Sequence, residues 1–290
     1  LIEQAAVAAG RQIVADNKGD VRKTYNALVD LYGSQPRLGT RTGTSVTNQA
    51  YSTPLPLAYL ASRLAGVATA DVVYEPTAGN GALLIEAGPG NDVVYANEID
   101  PTRAAALEAL RFEVTTEDAA SPRKLPQPAD AVVSNPPFGA VREGGESKLF
   151  RVDKDYATTA IDQAVALHAL ESMTDSGRAV LIVGGLNKQA TTSEARRAGY
   201  RGQSKRKFYH RLYNAYNVID HFTVAGELYE RQGAGWPVDV IVIQGRGKSA
   251  RNLPAAEPPA MYSSWEQLAE KIPNAEPVSQ QGSTAQRSRK

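Results

Sequence analysis

The sequence predicts an α/β fold built on a mostly parallel sheet, and three features lead to this prediction. From residue 71 onward, short runs rich in β-branched and aromatic residues alternate with helical segments, which is the pattern of βαβ units. A turn containing two glycines, at residues 75–82, directly follows the first of these runs. The chain has 290 residues, 42% of them hydrophobic, enough to bury one large core. We therefore expect one large α/β domain with extensions.

Composition excludes several classes of protein. The formal net charge is +1, so any surface that binds a polyanion must be local. No apolar run in the sequence approaches the roughly 18 residues needed to span a bilayer, and no secretory signal pattern stands at the N-terminus. Because the chain has no cysteine, it has no disulfide framework and no thiolate zinc site. We identify no candidate metal site, and we predict a cytoplasmic protein without a membrane partner.

The first part of the chain is predicted to be helical. Apolar residues at helical spacing predict helices over residues 1–15 and 20–32, and a polar stretch follows. The next helix is predicted to have Thr53 as its N-cap, Pro54 at its first position and Gly66 at its end.

The remaining elements alternate between strand and helix. The predicted strands cover residues 71–75, 92–97, 112–115, 130–134, 178–183, 218–224 and 238–244. The predicted helices between them lie near residues 82–87, 101–110, 157–173 and 204–215. We assign residues 1–50 to an N-terminal helical extension, 51–250 to the main domain and 251–273 to a C-terminal extension packed on it. Residues 274–290, rich in Gln and Ser, are expected to form a disordered tail or linker.

A candidate cofactor site follows the first three strands. Gly79 and Gly81 let the backbone approach a ligand at the strand-to-helix turn. Glu98 stands about 20 residues further on, where a carboxylate can accept both hydrogen bonds of a ribose diol. Asp118, after the third strand, is placed to accept a hydrogen bond from the amine of a cofactor's adenine. The alternatives are ordinary turn glycines, a helix cap at Glu98 and a turn aspartate.

The motif Asn135-Pro136-Pro137-Phe138 ends the fourth strand, at the edge where open α/β sheets bind ligands. The prolines fix the backbone and leave the Pro136 carbonyl without local amide partners, while Asn135 offers a side-chain oxygen. If each oxygen accepts one N–H of an aromatic amine, the nitrogen lone pair is aimed at a sulfonium methyl without a prior general base. Phe138 would stack on a base that has left its helix. The alternative is a structural Pro-Pro turn with a half-buried Phe.

A candidate nucleic-acid surface lies between residues 186 and 211, where eight basic residues face a single acid, Glu194. Tyr200, Phe208 and Tyr209 interleave with them and are expected to supply stacking faces beside phosphate contacts. The alternative is a solvated helix face. Residues 139–145 are expected to form a mobile loop that closes over the flipped base. The basic residues are Lys188, Arg196, Arg197, Arg201, Lys205, Arg206, Lys207 and Arg211.

Four segments together resemble motifs X, I, II and IV of N6-adenine DNA methyltransferases, in the gamma-class order: residues 51–54, 75–81, 97–100 and 135–138. The resemblance implies a class I S-adenosylmethionine-dependent methyltransferase fold, Rossmann-like and seven-stranded, with strand 238–244 reversed. It implies S-adenosylmethionine as the cofactor and adenine N6 in DNA as the methyl acceptor, with Asn135, Pro136, Pro137 and Phe138 as the catalytic group. The implied cofactor contacts are Tyr51, Thr53, Glu75, Thr77, Ala78, Gly79, Gly81, Glu98, Ile99, Asp118, Ala119 and Asn135.

Residues 208–217 and 236–240 also resemble the methyltransferase region that precedes a strawberry-notch-type helicase in large phage and plasmid anti-restriction proteins. This resemblance implies a bacterial host cell, DNA as a partner and a C-terminal helicase domain in the same longer polypeptide. Gamma-class enzymes usually carry a separate target-recognition domain, for which little sequence remains, so we expect low sequence specificity. Two alternatives stay open: a methyltransferase acting on RNA or on a protein amide, and a non-catalytic module that binds cofactor or DNA.

Overall fold

The described part of the chain begins with three helices: α1 (Ile2–Asp16), α2 (Val21–Ser34) and α3 (Leu55–Ala65). The structure, a computed structural model, describes residues 2–17, 19–36, 52–232 and 235–275. Asp20 caps α2 by accepting a hydrogen bond from the backbone N–H of Lys23, and Gly66 ends α3 with a φ of 74°. These helices confirm the prediction to within about two residues. One detail differs: α3 begins at Leu55 with Pro54 as its N-cap, so Thr53 does not cap it.

Strands and helices alternate along the rest of the chain. The strands are β1 (Val72–Glu75), β2 (Val93–Asn97), β3 (Glu113–Thr115), β4 (Ala129–Ser134), β5 (Arg142–Glu143), β6 (Glu146–Ser147), β7 (Phe150–Arg151), β8 (Ala157–Thr158), β9 (Met173–Gly184), β10 (Tyr216–Val224), β11 (Val238–Arg246) and β12 (Ala260–Tyr262). The later helices are α4 (Pro101–Glu108), α5 (Ile161–Glu171), α6 (Ser193–Arg201), α7 (Gln203–Ala215) and α8 (Trp265–Leu268).

The main sheet has eight strands in the order β12-β10-β11-β9-β4-β1-β2-β3. Most neighbours are parallel, but β11 runs antiparallel to both β9 and β10, which confirms the predicted reversed strand. The eighth strand, β12, pairs in parallel with β10 and was not predicted. It has only three residues, too few to show the alternation by which a strand is detected in a sequence.

Helices cover both faces of the sheet, so the central strand β1 is buried along its whole length. Val73 packs into the core beneath α1, α2 and α3, whereas its neighbours Val72 and Tyr74 pack into the core beneath α5 and α7. This alternation follows from the two-residue period of a strand. Within the described ranges, we find no helix with the length and apolar character that crossing a bilayer requires.

The helix predicted over residues 82–87 is wrong, because this segment is a succession of turns. Leu84 N–H donates to the Gly81 carbonyl at 3.2 Å, and Ala87 N–H donates to the Leu84 carbonyl at 2.9 Å. The guanidinium of Arg11 in α1 donates to the carbonyl oxygens of Leu84 and Ala87 at 2.7 and 2.6 Å. A distant side chain therefore satisfies carbonyl groups that a continuing helix would satisfy itself.

The predicted helix over residues 157–173 is too long at both ends. Ala157–Thr158 pairs with Phe150–Arg151 as the hairpin of β7 and β8, and the Thr158 hydroxyl accepts a hydrogen bond from Ala160 N–H. Met173 already belongs to β9. Local hydrogen bonds of a Thr side chain compete with helix formation, which accounts for the late start.

Residues 139–145 include most of a second hairpin, formed by β5 and β6. Gly144 and Gly145 link its strands with φ angles of 60° and 90°, as a two-residue turn with positive φ at both positions requires. Its closure over a bound base stays a prediction.

Candidate active site

A cavity of about 780 Å³ opens at the carboxyl ends of β1, β2 and β4. Side chains of α1, including Glu3 and Val7, cover one of its walls. Tyr51 lies outside the described residues, and Gly81, Pro136 and Phe138 do not line the cavity. The predicted site residues that do line it are Thr53, Glu75, Thr77, Ala78, Gly79, Glu98, Ile99, Asp118, Ala119, Asn135 and Pro137.

The two glycines after β1 have different roles. Gly79 has a φ of 55°, and a Cβ atom at this position would meet nothing within 4 Å, so the backbone is open to a ligand. Gly81 has a φ of 79°, and a Cβ atom there would lie 3.0 Å from Cδ2 of Leu107 in α4. Gly81 therefore serves the packing of α4, whereas Gly79 borders the cavity.

Glu98 is held rigidly at the end of β2. Its Oε2 accepts a hydrogen bond from Gly79 N–H and its Oε1 accepts one from Asp100 N–H, both at 2.8 Å. Each carboxylate oxygen keeps further acceptor capacity. Asp100 is the residue that caps α4, by accepting from the N–H groups of Thr102 and Arg103. Helix capping therefore does not explain Glu98.

Asn97 is a site residue whose role the sequence did not reveal. Its buried side chain donates to the carbonyl oxygens of Pro76 and Glu117, at 3.0 and 2.9 Å, and accepts from Glu117 N–H at 3.0 Å. It thereby joins the segments that follow β1, β2 and β3. The signals in the sequence were its position at the end of an otherwise apolar strand and its place in the segment 97–100, which resembles motif II.

Glu75 ends β1 beneath the cavity and is only 2% exposed. The pKa of the Glu75 carboxyl is raised well above its usual value, mainly by burial and secondly by repulsion from Glu98. No hydrogen-bond partner for its Oε2 occurs among residues whose placement is described. The cavity therefore borders a buried acid, one oxygen of which has no partner in the described part of the chain.

Asn135 is fixed through its side-chain nitrogen. Nδ2 donates to Oγ1 of Thr53 at 2.7 Å, while Oδ1 is buried and has no partner in the described part of the chain. The Pro136 carbonyl likewise accepts no hydrogen bond from the described residues. At the end of β4, two adjacent acceptors thus have no donor among the residues that the structure describes.

Phe138 is partly buried and packs against the core beside the end of β9. A Cβ atom at Gly184 would lie 3.7 Å from Cβ of Phe138, an ordinary van der Waals distance, so the two residues are neighbours. Gly184 is held by its N–H, which donates to Oδ2 of Asp162 at 3.0 Å, and by its carbonyl, which accepts from Lys205. The predicted stacking of Phe138 on a base stays a prediction.

Asp118 is exposed at the rim of the cavity. Its Oδ1 accepts from Ala120 N–H at 2.9 Å, a turn interaction that leaves Oδ2 available. The turn explanation and the ligand explanation are therefore compatible.

The basic segment, residues 186–211, contains both exposed cations and cations that bind other parts of the chain. Arg196 donates to Oγ1 of Thr223 at 2.9 Å, Arg211 pairs with Asp153, and Lys205 donates to the Gly184 carbonyl. These three are partly buried. Exposed residues of the segment are Lys188, Arg197, Arg201, Arg206 and Lys207, of which Arg197 also donates to the carbonyl of Ala256 at 3.3 Å.

The expectation that Tyr200, Phe208 and Tyr209 offer stacking faces is wrong. They are 1%, 1% and 2% exposed and pack beneath the helices α6 and α7. The hydroxyl groups of Tyr200 and Tyr209 donate to the buried Asp239 carboxylate at 2.9 and 2.6 Å. They occupy the apolar faces of amphipathic helices, which must pack against the sheet.

No protein-family model matches this chain, and no curated protein sequence is similar to it. Similar solved structures include a type I restriction enzyme modification subunit from Vibrio vulnificus, with a TM-score of 0.54 and 14% identity over 79% of this chain and 49% of that one. A structure from a type I restriction-modification system has a TM-score of 0.54 and 14% identity, covering 87% of this chain and 54% of that one.

A protein from Listeria monocytogenes, described as a class I S-adenosylmethionine-dependent methyltransferase, has a TM-score of 0.51 and 15% identity. The similarity covers 88% of this chain and 77% of that one. This chain spans about half the length of the modification subunit. The strand order, the reversed strand β11 and these similarities agree: the chain has the class I S-adenosylmethionine-dependent methyltransferase fold.

Proposed function

We propose that this chain binds S-adenosylmethionine in the cavity and transfers its methyl group to the N6 amine of an adenine in DNA. The observation that carries the proposal is the state of Asn135. Its side-chain oxygen is a buried acceptor without a partner among the described residues, and it belongs to a residue that lines the same cavity as Gly79 and Glu98. An N–H donor of a bound substrate would supply the missing partner.

The cavity suits the cofactor by several independent features. Glu98 is a rigid carboxylate that would accept from ribose hydroxyl groups, and the backbone beside Gly79 is open. Asp118 has a free oxygen for an adenine amine, and the side chain of Ile99, 59% exposed, offers apolar surface. The buried acid of Glu75 lies below them. When bound, S-adenosylmethionine supplies an electrophilic methyl group on a sulfonium centre.

The residues of the chain would act by alignment. Oδ1 of Asn135, which lines the cavity, would accept one N–H of the target amine. The carbonyl of Pro136, which does not line the cavity but directly follows Asn135, would accept the other, and the nitrogen lone pair would then be available for attack. The same oxygens stabilise the positive charge that develops on nitrogen during transfer. Both are fixed before the substrate arrives, Asn135 by Thr53 and Pro136 by its ring. The geometry requires no general base before the transfer, and the methylated nitrogen would afterwards lose one proton to solvent.

Charge and position favour DNA as the substrate. The basic segment follows β9, and Lys205 within it contacts Gly184, next to Phe138. Lys205 thus brings the start of α7 close to the catalytic motif, and the proposal is that exposed cations of α6 and α7 contact phosphates of a DNA bound there. A modification subunit of a restriction enzyme among the proteins with this fold supports the same choice.

The proposal also includes a cytoplasmic location and a partner domain. A DNA substrate agrees with the cytoplasmic location predicted from the sequence. The resemblance to anti-restriction proteins adds a helicase domain in the same polypeptide to the proposal.

The decisive experiment offers the chain tritiated cofactor with duplex DNA, structured RNA and a protein mixture in parallel. Label in N6-methyladenine of the DNA is the expected product. Label in RNA or protein alone would replace DNA by the other substrate class. Cofactor binding without transfer to any of the three would favour the non-catalytic alternative.

A further inference from the structure

Thr53 and Asn135 form a hydrogen bond that joins the start of α3 to the end of β4. Oγ1 of Thr53 accepts from Nδ2 of Asn135 at 2.7 Å, across 82 positions of sequence. Both side chains line the cavity. Within the described chain, the nitrogen of this amide is bonded and its oxygen is not.

Both residues of this hydrogen bond are held in place by the elements next to them. Thr53 precedes Pro54, which restricts its backbone to extended conformations, and it is buried at the start of α3. Nearly every residue of α3 is itself buried. Asn135 follows Ser134, which pairs with Leu181 in the centre of the sheet, and precedes Pro136. Each residue therefore directly adjoins an element that is packed into the core.

An amide side chain held at one end can turn about its last bond only by losing that hydrogen bond. Without Thr53 Oγ1, Nδ2 would be a buried donor without a partner, and the amide would turn or move to find one. The acceptor for the target amine would then be displaced. We propose, resting on the function proposed above, that Thr53 is a positioning residue that acts through Asn135.

This role differs from the direct cofactor contact that the motif resemblance implies for Thr53. Removing a residue that binds the cofactor lowers cofactor affinity, whereas removing a positioning residue lowers the rate of transfer from the fully bound state. Because the arrangement presents an oxygen to the substrate, it also selects hydrogen-bond donors, such as the N–H of a conjugated amine or amide, over groups that only accept hydrogen bonds.

The kinetic test compares Thr53→Val with Thr53→Ser in the whole chain, with tritiated cofactor and duplex DNA both saturating. Val has nearly the shape of Thr and cannot hold the amide, so we expect kcat to fall about 10-fold or more while cofactor Kd changes by less than about threefold. Ser keeps the hydroxyl and should retain most of the rate. Thr24→Val, which removes a buried hydroxyl outside the cavity, is the matched control.

An unchanged kcat in Thr53→Val overturns the inference, and so does a defect confined to cofactor Kd or a Thr53→Ser variant as slow as Thr53→Val. A second readout does not require catalysis. The side-chain amide signals of Asn135 in ¹H–¹⁵N spectra, assigned by their absence in Asn135→Asp, should shift in Thr53→Val and stay in place in Thr53→Ser.

The two readouts separate this inference from the proposed function. If the wild-type chain methylates no amine but the amide signals shift as described, the proposed function fails and the positioning role stands. If DNA is methylated and the amide signals ignore Thr53→Val, the inference fails and the proposed function stands.

Discussion

Arg11 reaches from α1 to the turns that follow β1 and donates to the carbonyl oxygen of Leu84 at 2.7 Å. A second bond from the same guanidinium reaches Ala87 at 2.6 Å. Burial lowers the pKa of Arg11, as expected for a cation enclosed by protein. Through this residue the N-terminal helix secures the segment that ends the glycine turn of the cavity.

Arg11→Met should therefore destabilise the protein, because two buried carbonyl groups lose charged donors while the aliphatic volume is largely kept. We expect the free energy of unfolding to fall by about 2 kcal/mol, measured by urea denaturation. Arg22→Met, an exposed change on α2, is the control and should alter stability little. Equal stability of Arg11→Met and wild type would show that the guanidinium does not secure this segment.

Asn135→Ala should lower kcat by roughly 10²–10³-fold while cofactor binding largely survives, since one of two fixed acceptors on the amine is removed. Single-turnover rates with labelled cofactor measure the effect on transfer, and calorimetry measures the binding. Near-normal turnover would eliminate the alignment mechanism.

Glu98→Ala should weaken cofactor binding by roughly 1–3 kcal/mol, because the ribose hydroxyls lose a charged acceptor and Gly79 N–H loses its partner. Titration calorimetry decides the point. Glu117→Ala, which removes an exposed carboxylate from the cavity rim, is the control. A dissociation constant unchanged by Glu98→Ala would move the ribose interaction to another residue.

Replacing the exposed Arg197, Arg201, Arg206 and Lys207 by Gln should weaken binding to all DNA sequences alike. The slope of log Kd against the logarithm of the salt concentration should decrease by about one unit for each phosphate-binding cation that is replaced. Lys23→Gln, on α2, removes one exposed cation outside this segment and is the control for charge alone. Weaker binding to one DNA sequence only would instead indicate base reading by these residues.

Specificity can be measured directly on a genomic substrate by sequencing that detects N6-methyladenine. Phosphate contacts position a duplex without reading its sequence, so we expect methylation in short or degenerate contexts. Modification confined to one site of about four or more fixed bases would contradict this expectation.

Glu86 should make stability depend on pH. Burial raises the pKa of its carboxyl to about 7, although the nearby Arg63 opposes the shift, and its side chain is 6% exposed. As pH rises from about 4.5 to 7, the unfolded chain releases this proton while the folded chain keeps it, so the free energy of unfolding falls. Above about pH 7 the contribution is constant.

Glu86→Gln should remove this decline, amounting to on the order of 3 kcal/mol between about pH 4.5 and about pH 8. Denaturation at a series of pH values measures it, with the exposed Glu108→Gln as control. Parallel profiles for wild type and Glu86→Gln would show that the carboxyl titrates alike in both states.

The sequence alone determined the order of the seven strands β1 to β4 and β9 to β11 and the location of the cavity. Strands such as Val72–Glu75 were detectable because their signals are local: apolar runs bounded by turn residues. Gly79, Glu98 and Asn135 were predicted to meet because each directly follows a strand of one parallel sheet, and the carboxyl ends of such strands share an edge.

Tertiary structure decided what depends on partners distant in sequence. Residues 82–87 form turns and not the predicted helix, and Arg11 of α1 donates to two of their carbonyl groups. Tyr200 and Tyr209 lie in the core, where their hydroxyl groups donate to Asp239. The alternation of cations and aromatic residues in the sequence had predicted that they lie on the surface. The hydroxyl oxygen of Thr53 accepts a hydrogen bond from Asn135 and does not cap α3. A hydrogen bond forms with whichever group the folded chain brings within about 3 Å, and only the complete packing determines that group.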